Sequence, residues 1–321
     1  MIKGKVTIIG AGFVGSTIAY TMMLSGMVSE IVLLDINKDK AEGDALDLNH
    51  GISFTSPVKI TGSDDYAHIT GSDMVIITAG VSQRPGENRI DLLKRNTTVF
   101  EDILSKSLKY CDSGTILMIV TNPVDILTYV AQKISGFPKN TVIGSGTVLD
   151  TARLRFLIGE RAGVDARNVH TYIIGEHGDT KVAVWSMTTV AGLDLDEYCA
   201  ICKRCGAPGS TDVRICKDDF SIKTRNAAYE IIEKKGATYY AVALSVRRIA
   251  ESIIGDENTI LTVSSLLDGQ YGIKDICLSV PTIVNCKGAD LILDVPLSDE
   301  ERKALIVSAD TLKALAREIG Y

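Results

Sequence analysis

The sequence predicts an α/β protein, a doubly wound parallel sheet joined to a second unit of α+β type. Three observations predict it. Short β-branched runs at residues 5–9, 31–34, 58–60, 74–78, 116–120 and 141–143 alternate with helical stretches, as parallel strands joined by crossover helices do. The first run breaks into three glycines spaced for a strand-to-helix turn. Finally, 321 residues, 45% of them hydrophobic, suffice for two packed units rather than one. The division expected is 1–144 and 145–321.

Lys5-Val-Thr-Ile-Ile9 is apolar enough for a strand buried on both faces. It leads into Gly10-Ala-Gly12-Phe-Val-Gly15 and a helical pattern through about Met23. Gly10 allows the turn, Gly12 lets a pyrophosphate approach the backbone, and Gly15 lets helix and strand pack closely. The helix N-terminus offers amide hydrogens and the positive end of its dipole to phosphate. The second run, Ile31-Val-Leu-Leu34, ends in Asp35. That carboxylate can accept from ribose hydroxyls and repels a 2′-phosphate, which favours NAD over NADP. Together these parts predict a Rossmann unit.

Ligands of such sheets bind beyond the carboxyl ends of the strands. The residues there are Ala79-Gly-Val81, Thr121-Asn-Pro123 and Gly144-Ser-Gly146. After Gly80, Ser82-Gln-Arg-Pro-Gly-Glu-Asn-Arg89 is polar and carries Pro85 and Gly86, a candidate lid ahead of a helix from Ile90. Further on, Tyr172-Ile-Ile174 delivers His177 between Gly175 and Gly178, with carboxylates on either side. Histidine both takes and returns a proton near neutrality.

The totals exclude several classes. A net charge of −6 argues against nucleic acid or an anionic membrane as partner. No apolar run is long enough to span a bilayer. The strand pattern begins almost at the first residue, so no signal peptide is expected. Seven unevenly spaced cysteines fit a reduced, cytoplasmic setting.

Gly10–Gly15, Asp35, the loop from Gln83 to Arg89, Thr121-Asn-Pro-Val124, Leu149-Asp-Thr-Ala-Arg153 and Gly175-Glu-His-Gly-Asp179 make the chain resemble, over essentially its whole length, the 2-hydroxy-acid dehydrogenase family that contains L-lactate and malate dehydrogenases. The resemblance implies that His177 is the acid/base, that Asp150 orients it, and that Arg153 grips the substrate carboxylate. It also implies that Arg89 polarises the carbonyl when the lid closes and that Asn122 hydrogen-bonds the substrate. Val14, Lys40, Tyr66, Gly80, Val81, Val120, Thr121 and Ser145 would then line the cofactor path, with ordinary surface roles still open for Lys40 and Tyr66. Asp150 and Arg153, three apart on a helix, share a face, and a planar guanidinium suits a carboxylate better than an ammonium does.

The substrate turns on Gln83, a neutral amide as in the lactate branch of that family, where malate dehydrogenases place arginine. Burying a second carboxylate without a cation is costly, so pyruvate and L-lactate are expected. Thr238 matches a second pocket residue of that branch. Arg84 is adjacent, and a register slip of one residue would revive the malate reading. Arg155 and His170 match the pair with which bacterial allosteric members bind fructose 1,6-bisphosphate between subunits, and a homotetramer is the family expectation. In the second half, a long helical pattern from Asp212 to about Ile254 breaks only near Gly236. Strands are expected at residues 258–267 and 273–284, and Ser298-Asp-Glu-Glu301 is a capping box opening the last helix. Cys199, Cys202 and Cys205, with Cys216, have a spacing resembling metal ligation but lie in a helical stretch, and no metal is expected. A non-catalytic NAD-binding redox sensor, with these thiols as its sensor, is the alternative from another class.

Overall fold

The computed structural model describes residues 4–81, 89–202 and 213–321. The first half alternates as expected: β1 (Gly4–Ile9), α1 (Phe13–Ser25), β2 (Val28–Leu34), α2 (Lys38–His50), β3 (Lys59–Ser63), β4 (Met74–Ile77), α3 (Arg89–Ser107), β5 (Ile116–Ile119), α4 (Val124–Ser135) and β6 (Val142–Gly144). These strands run parallel in the order β3-β2-β1-β4-β5-β6. The chain direction across the sheet reverses between β1 and β4, and the crevice above that point is where such sheets hold a dinucleotide.

The register explains the apolar runs. Along β1, Ile8 packs into the core on one face with Ile18, Leu33 and Ile76, while Ile9 packs on the other with Leu34, Ile77 and Ile119. With helices on both faces, neither set of alternate side chains meets water, so the strands read as continuous β-branched stretches rather than alternating ones. Each such side chain contributes about 1.5–3 kcal/mol by leaving water.

The second half begins with α5 (Val148–Ala162), followed by short strands β7 (Val169–His170), β8 (Ile173–Ile174), β9 (Val182–Ala183), β10 (Thr189–Val190) and β11 (Leu193–Asp194). Helices α6 (Leu195–Cys202), α7 (Val213–Lys235) and α8 (Tyr240–Ile254) come next. The chain closes with β12 (Thr259–Leu261), β13 (Ser264–Asp268), β14 (Lys274–Ser279), β15 (Thr282–Asn285), β16 (Gly288–Ile292) and α9 (Asp299–Glu318). The capping box is formed: Glu301 N–H donates to Ser298 Oγ, and Ser298 N–H to Glu301 Oε2.

Two expectations need correcting. The two strands expected at 258–267 and 273–284 are four, β12 to β15. Pro281 has no N–H for a ladder, and there the chain leaves the main sheet to pair with β12 and β16. β13 and β14 instead extend the first half's sheet, antiparallel, through Ser264 against Gly144. One core cluster therefore holds Ile9, Leu93 and Leu127 together with Ile174, Leu278 and Leu312. Among the described residues no helix is long and apolar enough to cross a membrane.

Candidate active site

His177 stands in the hairpin loop between β8 and β9, whose register is Ile173 with Ala183 and Ile174 with Val182. Four elements tie this loop down. Gly175 exchanges backbone hydrogen bonds with Ser279 of β14, at 2.8 and 3.2 Å. Glu176 N–H donates to Ser308 Oγ of α9 at 2.8 Å. His177 N–H donates to Asp125 Oδ2 of α4 at 2.7 Å. Finally, the His177 ring meets α5, where Nδ1 lies 2.5 Å from Asp150 Oδ2. Gly175 has φ +89, and a Cβ on it would come within 2.9 Å of Ser308 Oγ, so a side chain there would disturb the α9 anchor.

Asp150 is fully buried, while the His177 side chain keeps 22% of its exposure, so the imidazole is held at its rear and reachable from the front. An ionised carboxylate at Nδ1 fixes that nitrogen as donor and leaves Nε2 for a ligand. Burial disfavours the imidazolium, but the Asp150 charge and hydrogen bond outweigh it and raise His177 above its usual 6.5. Burial likewise acts against the Asp150 anion, yet His177 and Lys181 hold that carboxyl well below the usual range. Arg153 NH1 donates to Asp150 Oδ1 at 3.2 Å, and its side chain is 13% exposed. The helical spacing thus places acid and arginine on one face.

Asp125, Lys181 and Ser308 were not singled out by the sequence. Asp125 is 2% exposed; besides His177 it accepts from Ser264 Oγ at 2.6 Å and Ser279 Oγ at 3.2 Å. Burial pushes it up to about 6 against the pull of these donors. It follows the Thr121–Val124 motif directly, and that adjacency was the available signal.

The glycine turn fits a dinucleotide. Gly10 has φ +106, and a Cβ on Gly15 would sit 1.8 Å from Gly10 O. A Cβ on Gly12 would meet nothing within 4 Å, and Gly12 caps α1 without a side-chain hydrogen bond. The backbone at Gly12 is thus open to close approach, as a pyrophosphate requires. Asp35 closes the cradle: Oδ2 accepts from Ala11 N–H at 2.7 Å and Oδ1 from Asn37 N–H at 2.9 Å.

The other expected cofactor residues fall at neighbouring strand ends. Thr121 Oγ1 donates to Ala79 O at 2.8 Å, Val81 N–H to Asn96 Oδ1 at 2.8 Å, and Ser145 N–H to Ile119 O at 2.8 Å. A Cβ on Gly80 would lie 2.7 Å from Thr121 Cγ2. Val14 lies in the first turn of α1, Val120 is buried after β5, and Asn122 is exposed there. Lys40 pairs with Asp44 at 2.9 Å on α2, and Tyr66 packs against the main core, so their observed contacts are those of structural residues. Thr238 lies in the link between α7 and α8, half-buried. Gln83 lies outside the described residues. Arg89 opens α3, and its side chain lies outside them too, so the lid and its specificity position are not placed.

Arg155 turns away from Arg153, and its Nε donates to Val169 O at 2.7 Å. That carbonyl precedes His170, which is exposed, so the two candidate effector residues share the end of β7. Cys199 packs with Leu195 and Phe220 in a separate apolar cluster. Cys205 and the side chains of Cys202 and Cys216 lie outside the described residues.

A family model described as lactate/malate dehydrogenase, NAD binding domain, matches residues 4–144, and its alpha/beta C-terminal domain matches 147–319. The L-lactate dehydrogenase of Acetivibrio thermocellus is 59% identical over 315 residues, 98% of this chain and 97% of that one. L-lactate dehydrogenase 1 of Clostridium acetobutylicum is 56% identical over 310 residues, 96% of each chain. A crystal structure of the minor L-lactate dehydrogenase of Enterococcus mundtii, in a ligand-bound form, is similar with a TM-score of 0.91 at 40% identity, covering 99% of this chain and 98% of that one.

Proposed function

The chain belongs to the lactate/malate dehydrogenase family, and on that premise we propose that it interconverts pyruvate and L-lactate with His177 as proton donor and acceptor. It is an NAD-dependent oxidoreductase with the family's NAD-binding domain. The observation that carries the proton assignment is the pair of His177 Nδ1 and buried Asp150 Oδ2 at 2.5 Å.

The nicotinamide, when bound, supplies or accepts the hydride at the substrate carbon. Everything else falls to this chain. Asp35 and the amides at Gly10–Gly15 orient the dinucleotide. Arg153 turns toward the substrate carboxylate, and Asn122 and Thr238 line the pocket. In reduction, His177 Nε2 gives a proton to the oxygen that becomes the hydroxyl; in oxidation it takes that proton back. Asp150 stays ionised throughout, so the imidazolium is stabilised where it forms. Arg89 would polarise the carbonyl, and neutral Gln83 would discriminate against a second carboxylate.

Arg155 and His170, meeting at the end of β7, support an anionic effector there, fructose 1,6-bisphosphate shared across a homotetramer. A reducing cytoplasmic setting belongs to the same reading. The test is NADH oxidation with pyruvate against oxaloacetate, each with and without the bisphosphate. Preference for pyruvate is expected, with half-saturation at a lower concentration when effector is present. Preference for oxaloacetate would overturn the substrate, an unmoved pyruvate curve the effector, and no oxidation with either acid the catalytic reading.

A further inference from the structure

Lys181 has no part in the chemistry above, yet it lies closer than Arg153 to the catalytic carboxylate. Its Nζ sits 2.7 Å from Asp150 Oδ1, with side-chain exposure of 10% against 0% for Asp150. The residue ends the His177 loop at the start of β9, four positions along from the imidazole it faces across the carboxylate. Asp150 thus divides its charge: Oδ2 serves His177, while Oδ1 is already held by the ammonium and by Arg153 NH1 at 3.2 Å.

We propose that Lys181 is a positioning residue that tunes His177 through Asp150, its fixed charge limiting how tightly the ring holds the catalytic proton. The proposal rests on His177 being the acid/base. A fixed cation on one carboxylate oxygen weakens the field at the other, and at this depth the two are poorly screened. The remaining charged groups around the ring are accounted for among the described residues. From α4, Asp125 takes the His177 N–H. From α5 come Asp150 and Arg153. On the loop itself, Glu176 is buried and accepts from Thr180 Oγ1 at 2.5 Å, and Asp179 is exposed. From β13, β14 and α9 come the hydroxyls of Ser264, Ser279 and Ser308, and β14 also carries the Cys277 thiol, which burial pushes well up and so keeps neutral. Lys181 acts on His177 in the lowering direction, against Asp150.

Neutralising Lys181 therefore makes the ring hold its proton to higher pH. Pyruvate reduction, which uses the imidazolium, would persist to higher pH. Lactate oxidation, which uses the neutral ring, would switch on later. Both limbs move the same way by the same amount, on the order of one pH unit. Lys181→Gln keeps a donor to Oδ1 and removes the charge, while Lys181→Arg keeps the charge. The direct readout is NMR titration of His177, assigned among the four histidines by its loss in His177→Gln. It is recorded alongside pH profiles of kcat/KM in both directions. The expected result is a His177 midpoint raised by about one unit in Lys181→Gln, near wild type in Lys181→Arg, with both kinetic limbs following. An unchanged midpoint in Lys181→Gln, or equal shifts in both variants, would overturn the proposal. Lys181→Met repeats the measurement should Lys181→Gln not fold; failure of both neutral variants would also overturn it, because the charge would then serve the fold. The titration needs no turnover, so a wild type inactive with pyruvate would count against the function without obscuring this result.

Discussion

Asp150→Asn should leave the fold of α5 and the binding of NADH in place and cost about a thousandfold in pyruvate reduction. The magnitude follows from the geometry. The carboxylate is fully buried, and its oxygen is 2.5 Å from His177 Nδ1, which puts the two charge centres about 4 Å apart. At an effective dielectric of about 20 this attraction is worth about 4 kcal/mol, and about 1.4 kcal/mol corresponds to each tenfold in rate. The amide also leaves Lys181 and Arg153 facing a neutral group, so the ring protonates less readily still. The assay is the initial rate of NADH oxidation with saturating pyruvate, alongside NADH binding by fluorescence. A variant within about tenfold of wild type, with the cofactor bound normally, would refute the reasoning.

Pyruvate reduction should fall as pH rises through the pKa of His177, which Asp150 holds above 6.5; a rate climbing through that range would contradict the assignment. Asp125 adds a stability linkage of the same sign. Its folded value of about 6 exceeds the ordinary 3.8, so the folded state binds its proton more tightly and loses stability as pH rises between them. Two units amount to about 3 kcal/mol. Urea unfolding should show that loss between those pH values in wild type and not in Asp125→Asn; parallel curves would dismiss it. Asp35→Ser removes the acceptor that positions Ala11 and Asn37 and that would meet the ribose. NADH affinity should fall about ten- to a hundredfold while NADPH is used relatively better. An unchanged ratio of the two KM values would remove Asp35 from the cofactor site.

Local chemistry was legible in the sequence. The turn at Gly10–Gly15 and the capping box at Ser298 rest on interactions within a few residues, and the strands of the first half show as unbroken apolar runs because both their faces are covered; each formed as read. The Asp150 and Arg153 face follows from helical spacing alone. Contacts across long separations were not legible. Asp125 is 52 residues from the backbone it supports, Ser308 is 132 from Glu176, and Lys181 is 31 from Asp150; only the tertiary fold brings them together. The same limit explains β13 and β14. Their pattern reads as strand, but nothing local says that they join the first half's sheet at β6 or that Pro281 sends β15 elsewhere. Lys40 and Tyr66 show the converse. The resemblance assigned them to the cofactor path, and their own contacts, an i,i+4 ion pair and core packing, are sufficient structural reasons for both.

The proton path is best tested by single-turnover oxidation of bound NADH in His177→Gln with pyruvate in excess. The account predicts normal NADH binding and a rate at least about a thousandfold below wild type, with no dependence on pH near neutrality. A burst at the wild-type rate would contradict it, because hydride transfer would then proceed without this ring.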